Sequence, residues 1–106
     1  MAGIVWSDPA LSDLDAIADY IALENPAAAS ALVKRIFDHV VKLADHPESG
    51  NRPQELKRSR HRQIVEPPCR VFYRFDGQKV FISHVMRSER LLRKGQLAFR
   101  AKQAEV

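Results

Sequence analysis

The stretch CRVFYRFDGQKVFISHVMRSER, residues 69–90, decides how this chain folds. Asp76-Gly77 separates two runs rich in β-branched and aromatic residues, the strongest short-range signal for a hairpin. Strands are therefore expected over Cys69–Phe75 and Lys79–Met86. Side chains alternate across a strand, so each run sorts into two faces. With Asp76-Gly77 as a two-residue turn, Phe75 pairs with Gln78 and Arg70 lies opposite Ser83. One face then carries Cys69, Val71, Tyr73 and Phe75 beside Val80, Ile82, His84 and Met86. The other carries Arg70, Phe72 and Arg74 beside Lys79, Phe81, Ser83, Val85 and Arg87. The first set suits a core. The second is a cationic surface with two phenylalanines embedded in it.

Outward from the hairpin, RQIVE (62–66) reads as a further strand, and Pro67-Pro68 ends it, since prolines in a sheet belong at edges and strand ends. Before it lies the basic run RPQELKRSR, and after the hairpin comes a basic tail, weakened as a helix by Gly95. Toward the N-terminus, Ile4-Val5-Trp6 suits one brief strand. Ser7-Asp8-Pro9 then offers a cap and a first-turn proline, and Asn25-Pro26 repeats that signal. Leu11, Leu14, Ile17, Ala18 and Ile21 recur at helical spacing. So do Ala29, Leu32, Val33, Ile36, Phe37, Val40, Leu43 and Ala44, until HPESG stops the second helix. The order β-α-α-β-β-β predicts an α+β fold, one antiparallel sheet with a helical hairpin on one face and a short basic C-terminal helix or tail.

The 106 residues, 45% apolar and 28% charged, suit one domain spanning 1–106. No run is long enough to span a membrane, and the acidic N-terminal stretch is unlike a secretory signal. A lone cysteine, Cys69, excludes a disulfide scaffold and fits a reducing cytoplasm. The net charge of +4 is unevenly spread: residues 1–51 hold three bases against eight acids, residues 52–106 fourteen against five. Such asymmetry points to a polyanion or an acidic protein as partner. Phe72 and Phe81 argue the same way, because exposed aromatics on an open sheet face leave apolar area for a partner or the tail to cover.

Three segments, WSDPALSDLDAIADYIALENPAAA, LADHPESGNRP and CRVFYRFDGQKVFISHVMR, in this order resemble the RelE/ParE superfamily of bacterial toxins from type II toxin–antitoxin operons. The resemblance covers about residues 3–94. It implies a cytoplasmic toxin and a cognate, ParD-like antitoxin that wraps an acidic segment around it, as a homodimer or a heterotetramer with the antitoxin. RelE-like members cut messenger RNA on the ribosome; ParE-like members inhibit DNA gyrase. RNA cleavage needs a proton acceptor, a proton donor and cations converging on one phosphate. The RelE-like pattern has cations before and within the central strands, an arginine ending the fourth strand, and a late tyrosine or histidine. Lys57, Arg58, Arg60 and Arg62 would stand for the first group, with His61 a further candidate RNA contact beside them, and Arg87 for the strand-end arginine. The late residue is unmatched, since Arg93 or a neighbour falls there and no Tyr or His follows His84.

His84, by strand parity, reads as a core histidine, and His39 and His46 as solvated surface. His61 is the better candidate for chemistry. Glu66 reads as a strand-end residue and Cys69 as a small buried apolar one. The first helix and its HPESG counterpart are closer to ParE. The expectation is a ParE-like gyrase inhibitor with no catalytic residue, metal or cofactor. Its target surface would hold Arg70, Arg74, Arg87, Arg90 and Arg93. The alternative is a RelE-like ribonuclease.

Overall fold

In a computed structural model of the chain, residues 1–56 and 58–88 are described. A short strand β1 (Gly3–Trp6) leads into helices α1 (Asp8–Ala22) and α2 (Pro26–Lys42), then a 3-10 turn at Gln54–Leu56. Strands β2 (Arg62–Glu66), β3 (Cys69–Phe75) and β4 (Lys79–Arg87) follow. This is the expected α+β order. The sheet runs β1-β4-β3-β2, with β2, β3 and β4 antiparallel and β1 parallel to β4. A parallel pair needs a long crossover, and here both helices, β2 and β3 lie between β1 and β4 in the chain.

The helices begin where their caps predict. Ser7 Oγ accepts from the Ala10 N–H at 3.2 Å, and Asn25 Oδ1 from the Ala28 N–H at 3.0 Å, each ahead of a first-turn proline. Ala10 and Leu14 of α1 and Leu32, Ile36, Val40 and Leu43 around α2 pack on Ile64, Cys69, Val71, Tyr73, Val80, Ile82 and Val85 of the sheet. Full burial of each large aliphatic side chain contributes about 1.5–3 kcal/mol. Leu11, expected on the inner face of α1, is exposed instead, and the small Ala10 beside it is fully buried.

The hairpin departs from the two-residue turn. Phe75 pairs with Val80 rather than with Gln78, and three residues, Asp76–Gln78, link the two strands. Asp76 Oδ1 accepts from the Gln78 and Lys79 N–H groups at 2.8 and 2.7 Å, and these bonds hold its carboxyl below the usual range. Gly77 adopts φ 99°, the left-handed region that glycine enters without penalty. Farther along, a β-bulge falls between the Tyr73↔Ile82 and Phe72↔His84 pairs, with Ser83 as the extra residue. One inserted residue reverses the alternation beyond it. Val85 and Arg87 therefore turn to the helix side with Val71 and Cys69, while His84 and Met86 turn to the open side with Phe72 and Arg70.

That reversal corrects the sequence-based sorting of His84, Val85, Met86 and Arg87. The open face is also not an exposed aromatic surface, since Phe72 is 0% exposed. The His84 ring stacks on it at 5.9 Å, and the Arg70 guanidinium lies 5.0 Å from its ring centre.

Candidate functional site

The predicted cations fall into three separate settings. Arg70, on the open side of β3, is only 9% exposed. Its Nη1 and Nη2 donate to Glu55 Oε1 and Oε2 at 3.1 and 2.9 Å, and Nη1 also reaches Gln63 Oε1 at 3.3 Å. A bidentate carboxylate is the natural partner of a guanidinium withdrawn from water. Arg70 thus ties the 3-10 turn to the sheet, a role inside the fold that corrects its expected place on an open target surface. Arg74, four residues along β3, lies half-buried with its guanidinium 4.3 Å over the Phe81 ring.

Arg87 does not join them. The bulge turns it to the helix side, where its guanidinium lies 5.8 Å from the ring centre of Tyr20 on α1. Arg90 and Arg93 lie outside the described residues, as do Lys57 and the expected C-terminal helix or tail.

The candidate RNA-contacting residues are scattered as well. Arg58 and Arg60 are exposed. Arg62, half-buried at the start of β2, donates to the Gly50 carbonyl at 3.0 Å. His61 is buried: its backbone N–H donates to Ser59 Oγ at 3.1 Å, and its Nδ1 lies 2.8 Å from the same hydroxyl. Nε2 is buried without a hydrogen-bond partner among the described residues. Burial, aided by the nearby Arg74 charge, lowers the imidazole pKa to about 4. At neutral pH this ring holds no ionisable proton to donate and is a weak base.

Other histidines and carboxylates act in the scaffold. Glu66, at the end of β2, accepts from His39 Nδ1 at 2.9 Å and pairs with Arg35 Nε at 3.3 Å. Arg35 also donates to the Pro67 carbonyl, and the Pro67-Pro68 bond is cis. Glu66 is thus the strand-end residue expected, whereas His39 is a half-buried hydrogen-bond partner of that carboxylate rather than solvated surface. His84 is buried, as a core histidine should be, but on the opposite side from that expected. Its Nδ1 donates to Asp13 Oδ2 of α1 at 2.8 Å, and the Val85 N–H donates to the same oxygen at 3.1 Å.

Sequence reasoning passed over Asp13, Glu55 and Tyr20. Glu55 is the lone acid in RPQELKRSR, and a single carboxylate in a cationic run marks a candidate internal partner. Asp13, Ile17 and Tyr20 share one stripe of α1 at spacings of four and three, with Asp13 and Ile17 half-buried and Tyr20 exposed, so an acid beside an apolar residue marked a candidate contact with the sheet. No group of three or more metal-ligating side chains occurs among the described residues.

Against known proteins, the sequence model of the ParE toxin of type II toxin–antitoxin system, parDE, matches residues 4–92. A Caulobacter vibrioides protein named Toxin RelE2 is 34% identical over 91 residues, spanning 86% of this chain and 100% of that protein. A putative toxin of Sinorhizobium fredii, Y4kP, is 39% identical over 71 residues, 67% of this chain and 73% of its own. Among solved structures, a chain of the chromosomal ParDE TA system from P. aeruginosa superposes with a TM-score of 0.71 at 26% identity. That likeness covers 84% of this chain and 98% of the other.

Proposed function

The chain belongs to the ParE toxin family of type II toxin–antitoxin systems, and on that premise we propose that it inhibits DNA gyrase by binding and is neutralised by a cognate antitoxin. The observation that carries this reading is the match of the ParE sequence model over residues 4–92. The likeness to a ParDE assembly supports an antitoxin of the ParD kind. Local chemistry agrees. The histidine of the basic segment is held neutral with a pKa of about 4, and Arg70 is bound to the chain's own Glu55, so neither is poised for phosphate chemistry. Inhibition by binding asks only for a surface. In this reading Arg74, Arg87, Arg90 and Arg93 contact the target in the cytoplasm, and the acidic antitoxin covers part of the same surface.

A second reading has one observation in its favour: the full-length likeness to a protein named Toxin RelE2. Under it the chain cleaves messenger RNA on the ribosome, with Arg58, Arg60, His61 and Arg62 near the RNA. A paired assay on the purified toxin separates the two. Gyrase supercoiling and cleavage complexes are followed in one arm, and message cleavage on programmed ribosomes in the other. The proposed reading expects gyrase inhibition with intact message; cut message with normal supercoiling overturns it. Charge reversal at Arg87 and Arg90 is expected to weaken both growth arrest and antitoxin binding. Undiminished arrest would remove these residues from the effector surface.

A further inference from the structure

Strand β4 outruns its neighbour on the β1 side. β3 accompanies β4 from Val80 to Arg87, but β1 pairs only with Lys79–Ile82. The last β1-side backbone bond runs from the Ser7 N–H to the Ile82 carbonyl at 3.0 Å, after which the chain turns into α1. Past that point the β1 side of β4 faces a helix, which has no strand backbone to offer. Two α1 side chains serve it instead. Asp13 Oδ2 takes the Val85 N–H at 3.1 Å and His84 Nδ1 at 2.8 Å. Two helical turns on, the Tyr20 ring lies 5.8 Å from the Arg87 guanidinium. Residues seven apart share a helix face, so one stripe of α1 meets the second half of β4 at both places.

The bulge makes these contacts decisive for Arg87. Ser83 is the extra residue that turns Val85 and Arg87 toward α1, and Asp13 fastens the two residues immediately after it, His84 and Val85. With a carboxylate accepting both donors, the reversed alternation is held in register. Tyr20, 66% exposed, gives the guanidinium a ring face near the surface, while Arg87 Nε itself is buried.

We infer that Asp13 and Tyr20 are positioning residues through which α1 sets the pose in which Arg87 meets the toxin's target. This rests on the reading above only in taking Arg87 as a target contact, whichever the target. The test is a double-mutant cycle on the full-length toxin, read as the expression level that gives half-maximal growth arrest. Asp13→Asn keeps the side chain's shape and one acceptor but removes its charge; Tyr20→Leu keeps apolar cover at an exposed site.

Each is expected to reduce potency several-fold, up to on the order of tenfold for Asp13→Asn. In an Arg87→Ala background neither is expected to reduce it further. The circular dichroism spectrum of refolded Asp13→Asn serves as a check on folding and is expected to match that of wild type. Equal losses with and without Arg87 would reduce both residues to general supports of the fold and overturn the inference, as would full potency of either single variant or of Arg87→Ala. Growth arrest does not depend on which target is struck, so failure of the gyrase arm of the paired assay overturns the proposed function and leaves this cycle to be decided on its own.

Discussion

Gly50 closes the exit from α2 at a point where nothing larger fits. Its N–H donates to Tyr73 Oη at 2.9 Å, and an added Cβ would stand 2.6 Å from both that oxygen and the Gln63 carbonyl. The Asn51–Gln63 bridge beside it extends the sheet past β2, so neither neighbour has room to retreat. Gly50→Ala is expected to cost roughly 2–3 kcal/mol, measured by urea denaturation. Tyr73→Phe leaves the Gly50 N–H unanswered and should cost about 1–2 kcal/mol in the same measurement. His61 makes a pH-dependent contribution of known sign. Its folded pKa of about 4 lies below the ordinary 6.5, so between those values the unfolded chain binds more protons. Stability is then complete above pH 6.5 and falls as the pH drops toward 4, by about 3 kcal/mol at most. Comparing unfolding free energies of wild type and His61→Gln across that window isolates the effect, and His61→Gln should show the shallower dependence.

At the scale of elements, the unit that matters is the 3-10 turn latched to the sheet by Arg70 and Glu55. Removing the negative charge from a bidentate, largely buried pair leaves the guanidinium poorly compensated. Glu55→Gln is expected to lower stability by about 2–3 kcal/mol, whereas Lys34→Ala, which breaks the exposed Lys34–Asp38 pair, should change it by less than about 1 kcal/mol. Thermal melts of the two variants side by side check the contrast. The elements themselves were legible: both helices start at their cap-and-proline signals, and β2 and β3 have the predicted bounds. Facing of residues along β4 was legible only up to Ile82. Beyond it the bulge intervenes, and no glycine or proline in FISHVMR announces one.

For the whole molecule, the uneven charge of the two halves remains the dominant long-range feature, with −5 over residues 1–51 and +9 over residues 52–106. An acidic antitoxin steered by that field should associate more slowly as salt rises. Stopped-flow association with the cognate antitoxin at about 50 and about 500 mM salt is expected to show at least a tenfold fall in on-rate. A salt-independent rate would place the contact on apolar surface alone. Of the five arginines expected on one target surface, the structure separates three: Arg70 inside, Arg74 on the open side and Arg87 beside α1.

The amino-acid sequence by itself determined the secondary structure, the layer order and the family likeness, because caps, prolines, Asp-Gly and apolar spacing act within a few residues. Only tertiary structure decided which arginines stand where. The inserted Ser83, the Glu55 carboxylate and the Asp13 carboxylate each act across the fold, between segments far apart in the chain, and local pattern carries no record of such meetings.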